Sequence, residues 1–183
     1  MMKISSLCRP LWYIALLFAV SCAEEQDFDQ FNNLSIIPEV SSSIFYFESD
    51  EGTINAAGGG TFYEQDFTFE AFNEPFVSER VVNGTITYQI ENTTSKPIAA
   101  SISFLDNAGT VLDTENFAIG EHPFPLLERQ VAYGEGGKSL DILRNTTLIK
   151  VTGENLGDAS STSSERTPVI IIRSSATFSL ELR

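Results

Sequence analysis

Histidine, cysteine, tryptophan and positive charge are all scarce in this chain. Its 183 residues hold one His, two Cys, one Trp, and 11 Lys and Arg against 25 Asp and Glu. One histidine leaves little for proton transfer near neutral pH, where imidazole is the usual carrier. It is His122, between Glu121 and Pro123, and no G-x-S-x-G elbow accompanies it, so it reads as an exposed loop residue. Cys8 and Cys22 both stand near the N-terminus, so the rest of the chain has no thiol nucleophile and no internal disulfide. With one His and no downstream Cys, a zinc site would need mostly carboxylates, which is unusual. The shortage of Lys and Arg excludes nucleic acid as a partner, because that binding rests on neutralised phosphates. No cofactor is expected.

The N-terminus is rich in signal. Lys3 and Arg9 make a positive start, and Leu11 to Val20 (LWYIALLFAV) is an unbroken apolar run. As a helix that run rises about 15 Å, half of a bilayer core of about 30 Å, so it suits an export signal better than a permanent span. It closes on Phe18-Ala19-Val20-Ser21-Cys22. This FAVSC stretch resembles the lipobox of bacterial lipoproteins, with Ala19 where leucine is commoner. The resemblance implies that residues 1–21 are removed and that Cys22 becomes the lipidated first residue. It also implies several acyl chains, where one alone holds only marginally. The same segment fits an ordinary secretory signal, with small residues at Ser21 and Ala23.

Residues 22–33 then read as a lipidated acidic tether. Glu24, Glu25, Asp27 and Asp29 place four carboxylates in six residues, too much charge to pack into a core. The run resembles the surface-export signal of lipoproteins in the Bacteroidetes. As a flexible chain, residues 23–33 reach roughly 18 Å. Removing 21 residues leaves 162, which suits one domain over 34–183. Of the 11 basic residues Lys3 and Arg9 go with the signal, leaving nine against 25 acidic ones and a net charge of −16. Anionic headgroups would repel such a domain, so the lipid on Cys22 is the expected link to the membrane.

The remainder is patterned for β-structure. Apolar residues alternate with polar ones in Thr85–Glu91 (Ile86, Tyr88, Ile90), Ile98–Phe104 (Ile98, Ala100, Ile102, Phe104) and Ala176–Leu182 (Ala176, Phe178, Leu180, Leu182), the signature of half-buried strands. Ile44–Phe47, Phe62–Phe72, Val111–Ile119, Leu126–Tyr133, Thr147–Thr152 and Val169–Ile172 are further strands. Asn83-Gly84 predicts a two-residue hairpin, and Asp106–Gly109 another turn. Lys138–Arg144 is the one helix, with Leu140 and Leu143 on one face. Gly153–Thr167 is a polar loop, too hydrophilic to pack. Short strands joined by turns predict an all-β, two-sheet antiparallel sandwich. Tyr88–Leu112 (YQIENTTSKPIAASISFLDNAGTVL) resembles the middle of an Ig-like sandwich, which speaks to fold and not to function. The whole chain is similar to the β-rich lipoproteins of flavobacteria.

Few motifs carry chemistry. Glu48, Asp50 and Glu51 precede Gly52, and Glu154 and Asp158 flank Gly157, but neither run has the spacing of a calcium loop. Ala132–Ser139 (AYGEGGKS) approximates a phosphate loop, with Ala in place of the first Gly and a helix barely two turns long. Phe62, Tyr63 and Phe67, with Tyr88 and Tyr133, would form a sugar-stacking platform if exposed. Phe outnumbers Tyr by 14 to five, and Trp12 leaves with the signal, which favours packing in the core. The four Asn-x-Ser/Thr triplets at Asn33, Asn83, Asn92 and Asn145 are read as turn and strand composition. The expected function is a lipid-anchored, non-enzymatic accessory or interaction protein of the outer membrane, facing the cell surface, with an envelope protein as partner. A surface glycan-binding module is the alternative, and a carboxylate-based glycoside hydrolase the second.

Overall fold

The computed structural model describes residues 36–182, apart from Asn73. Eight strands follow in order: β1 (Glu39–Asp50), β2 (Gly60–Thr68), β3 (Val81–Asn92), β4 (Ile98–Leu105), β5 (Val111–Ile119), β6 (Leu127–Gly134), β7 (Leu148–Asn155) and β8 (Val169–Leu180). Three short helices interrupt them: α1 (Glu51–Ala56), α2 (Pro75–Ser78) and α3 (Leu140–Asn145). Among the described residues no helix is long and apolar enough to cross a membrane.

The strands form two antiparallel sheets of four, ordered β1-β8-β3-β6 and β2-β7-β4-β5. The sandwich is the expected one. Its connectivity is that of a jelly roll, in which successive strands cross between sheets and only β4 and β5 form a simple hairpin. Alternation explains the layering. Ile86, Tyr88 and Ile90 of β3 face Ile98, Ala100, Ile102 and Phe104 of β4 across a core closed by Phe117, Ile149, Val151, Ile170, Ile172 and Phe178, all buried.

Several local expectations shift. Asn83-Gly84 is no turn: both lie inside β3, paired with Gly134 and Tyr133 of β6. A Cβ on Gly84 would come within 2.8 Å of the Phe178 ring, so this glycine makes room for an aromatic on the neighbouring strand. Asp106–Gly109 does turn. The Asp106 carboxylate accepts from the Ala108 and Thr110 N–H groups at 2.9 and 2.8 Å, and Gly109 takes φ +79°. Val169–Ile172 and Ala176–Leu182 fuse into β8, while β2 stops at Thr68 and Phe69 and Phe72 fold inward beyond it. The helix runs Leu140–Asn145, with the Ser139 hydroxyl capping the Asp141 N–H.

The segment Gly153–Thr167 departs most from expectation. Its first three residues belong to β7, and the rest is fastened to one end of the sandwich. Lys96, almost fully buried, donates to Asp158 at 2.7 Å. Asn55 donates to Ser161, Ser163 to the Thr93 carbonyl, and the Thr162 N–H to Ser95 Oγ. Hydrogen bonding, not apolar packing, holds it.

Candidate functional site

Strand β5 carries an inward row that begins polar. Asp113, Glu115 and Phe117 share one face, two residues apart, and Glu115 and Phe117 are buried. Opposite them, at the edge of the other sheet, β6 directs Arg129 and Tyr133 inward, and Tyr88 of β3 pairs with Arg129. The chain then leaves β6, turns through Gly134 and Gly136 at positive φ, and returns Lys138 beside its own strand. Seven side chains thus meet where the free edges of the two sheets face each other.

Lys138 Nζ donates to Asp113 Oδ2 at 2.6 Å and to Glu115 Oε1 at 2.5 Å. Burial alone would lower the lysine pKa; the hydrogen bonds and charges of both carboxylates outweigh it and hold Lys138 above its ordinary value. Arg129 donates to the Asn116 carbonyl at 3.0 Å, lies 3.5 Å from Glu115, and stacks 4.3 Å over the Phe117 ring. Phe117 in turn meets Tyr88 edge-on at 5.2 Å. One arginine therefore ties β6 to a strand in the other sheet through charge, backbone and ring at once.

The tyrosines are held differently. The Tyr88 hydroxyl is buried without a hydrogen bond, and that of Tyr133 is buried beside the Asp113 carboxylate. Burial first, and then the nearby negative charges, push both pKa values far up, so both stay neutral. An unpaired buried hydroxyl carries a desolvation cost that a methine would not. Tyr88→Phe is therefore expected to leave stability unchanged or raise it, within about 1 kcal/mol, in urea unfolding. A loss of about 2 kcal/mol would mean that the hydroxyl is bonded after all.

Chemically, the cluster is a closed ion network. Both carboxylates are occupied by one lysine, and Glu115 is shielded by the sheets. The phosphate-loop resemblance dissolves in the same way. Lys138 is committed to the carboxylates and Ser139 to the helix cap. The loop N–H groups bond inward, Lys138 to the Ala132 carbonyl and Gly137 to that of Gly134. A Cβ on Gly137 would strike the Ala132 oxygen at 2.3 Å.

The other candidates fall in known places. Cys22, Glu24, Glu25, Asp27 and Asp29 lie outside the described residues. Tyr88 and Tyr133 are inside the sandwich, whereas Phe62, Tyr63 and Phe67 are half-buried. Phe67 stacks on Phe45 at 5.4 Å and Tyr63 lies tilted against Phe47 at 3.9 Å, so these five rings pack against the core and form no exposed row. His122 is half-buried, not exposed. Its N–H donates to the Thr94 carbonyl and its Nε2 stands 3.6 Å from Glu165. Asp50 caps α1 by accepting from the Thr53 N–H and hydroxyl. Glu51 is buried and accepts from the Ser95 N–H and hydroxyl at 2.9 and 2.7 Å. Burial alone would raise the Glu51 pKa; those bonds outweigh it and hold the group below the usual carboxylate range. Asn92 is buried too, bonding the Lys96 and Gly120 carbonyls. Among the described residues no three His, Cys, Asp or Glu come together as metal ligands. A shallow depression of about 230 Å³ lies against β4, β5 and β7, lined by Ala99, Ser101, Asn116, Thr152 and Glu154.

No protein-family model matches the chain, and no curated protein sequence does. Solved structures resemble it weakly. The VP2 subviral particle of infectious bursal disease virus is 10% identical over 81% of this chain, with a TM-score of 0.38. Desmodium yellow mottle tymovirus is 12% identical over 81% of this chain and 90% of its own, at 0.36, and a CBM4 structure is 14% identical over 60% of this chain and 54% of its own, at 0.27. The chain spans about a third of the length of the VP2 chain. Likenesses of this degree carry no argument about what the protein does.

Proposed function

We propose that this protein is a lipid-anchored, non-enzymatic accessory or interaction domain of the outer membrane, displayed at the cell surface to an envelope protein. The observation that carries the reading is the placement of Cys22. It closes an apolar run of ten behind a positive start and opens an acidic segment that leads to β1. The only other cysteine, Cys8, lies within the signal. A lone exported thiol is protected once it is acylated. The ion network at the β5–β6 edge is internally paired, Lys138 with Asp113 and Glu115 and Arg129 with Glu115, and serves to tie the two sheets together. The outermost strands β1, β2, β5 and β6 leave backbone edges to which a partner strand can add.

Feeding cells an alkyne-bearing fatty acid tests the anchor. The full chain is expected to take up label and to fractionate with membranes. Cys22→Ser is expected to lose the label entirely and to leave the membrane fraction. Undiminished membrane association of unlabelled Cys22→Ser would sink the proposal.

A further inference from the structure

The exposed apolar side chains of this domain are unevenly distributed. Eight large hydrophobic residues are exposed among the described ones: Ile36, Ile37, Val40, Tyr46, Phe76, Val111, Leu126 and Leu156. Chain tracing sorts them. Strands β1, β3, β5 and β7 start, and β2, β4, β6 and β8 finish, at the same end of the sandwich. Five of the eight belong to that end: Ile36, Ile37, Val40, Phe76 and Val111, each 51–56% exposed. The opposite end has Leu126 and Leu156, which flank different loops.

Three of the five sit beside adjoining strand ends, Ile36 and Ile37 just before β1 and Phe76 in α2 just before β3. Ile36 and Leu182 exchange backbone hydrogen bonds, and the next residue back, Glu181, donates to the Arg80 carbonyl at 2.8 Å. Phe76 lies one helical turn before Arg80, whose guanidinium sits 4.4 Å over its ring. Neighbouring strands are about 4.8 Å apart, so the backbones of Ile36, Leu182 and Arg80 span roughly 10 Å of one rim, with the Phe76 ring beside Arg80. This is also the rim at which the preceding segment enters. Thirteen residues, 23–35, separate Cys22 from Ile36, and a flexible polypeptide of that length would span roughly 20 Å.

We infer that this rim is the membrane-facing end, with Ile36, Ile37 and Phe76 seated in the interface of a zwitterionic phospholipid layer. The inference rests on the lipid anchor proposed above. A short tether holds the rim at high effective concentration beside the bilayer, so weak apolar contacts suffice. The Arg80 guanidinium, stacked on the Phe76 ring and donating to the Phe76 carbonyl, is the cation that a phosphate oxygen would meet beside that ring. The acidic surface as a whole disfavours an anionic layer, which is why the committed partner is zwitterionic. In this posture α1 and the segment 156–168 point outward, toward any envelope partner.

The sole tryptophan, Trp12, precedes Cys22, so a substituted Trp is the only such reporter in the mature chain. Lipidated protein bearing Phe76→Trp, Ile37→Trp or, at the far end, Leu156→Trp is bound to phosphatidylcholine vesicles with brominated chains. Emission at positions 76 and 37 is expected to be roughly halved, as for side chains at the headgroup–acyl boundary, with position 156 unaffected. Vesicle-bound protein with equal quenching at all three sites, or none at 76 and 37, overturns the inference and leaves the anchor standing. The second pattern is what results if residues 23–35 or a second copy cover the rim. Protein that carries no acyl chain and does not sediment with vesicles overturns both.

Discussion

Phe117→Ala is expected to destabilise the domain by about 3–5 kcal/mol, the usual cost of deleting a buried ring. The position is 2% exposed. More than a cavity is made. The ring is the platform under Arg129 at 4.3 Å and the edge-on partner of Tyr88 at 5.2 Å. Without it the guanidinium loses its seat beside Glu115, so the mouth between the two sheets loosens. Urea unfolding gives the measurement, through a lowered midpoint with the slope retained. Phe117→Leu, which keeps bulk but offers no ring face, is expected to cost less than the alanine and more than nothing. A loss below about 1 kcal/mol for Phe117→Ala would show that the β5–β6 mouth contributes little to stability.

Lys138→Ala has the second-largest expected effect, about 2 kcal/mol. Breaking a fully buried ion pair costs about 3–5 kcal/mol. The lysine side chain here is 36% exposed, so water screens part of that. What remains is two shielded carboxylates with one cation fewer. The control is to remove the carboxylates as well. Lys138→Met combined with Asp113→Asn and Glu115→Gln is expected to be more stable than Lys138→Ala alone, because no shielded carboxylate is left without its lysine, while Arg129, which loses Glu115, is 41% exposed and stays solvated. Strict additivity of the three substitutions would refute the network. The pH dependence follows from the raised lysine pKa. The contribution is fully present below the ordinary lysine value of about 10.4, and it fades as pH rises through the higher native value. Wild type and Lys138→Ala should therefore converge in strongly alkaline solution.

How far the fold could be read from sequence depended on how local each cause was. Val111–Ile119 is found at its observed boundaries because its cause is local, the Asp106–Gly109 turn standing directly before it. The short helix after Lys138 is found because Leu140 and Leu143 share a face. Asn83-Gly84 misleads because the reason for its glycine is Phe178, on another strand. The segment after β7 misleads because composition reports its lack of apolar residues, while its fastening comes from Lys96, Thr93, Ser95 and Asn55. Jelly-roll connectivity is invisible in strand patterns, since the same strands satisfy several sheet orders. The ion network is hidden for a related reason: its members come from β5, β6 and the turn after β6, and β5 and β6 never pair with each other. A signal was nonetheless present. Asp113 and Glu115 share the parity of Phe117, and Arg129 that of Tyr133, so charges occupied positions that alternation assigns to the core. Of the residues singled out beforehand, Tyr88 and Tyr133 do border this cluster, as buried walls and not as a stacking surface.

Strand β8 lies between β1 and β3, so two strands made early have their shared neighbour supplied only at the far end of the polypeptide. Closing that sheet requires contacts across more than a hundred residues of sequence separation, such as Phe47 with Ile172, and such distant pairings make folding slow. Until β8 is delivered, β1 and β3 have no common partner and the β1-β8-β3-β6 sheet stays open, whereas β2-β7-β4-β5 needs nothing later than β7. Topology alone thus sets an order of completion, in which the sheet holding β1 is the last to close.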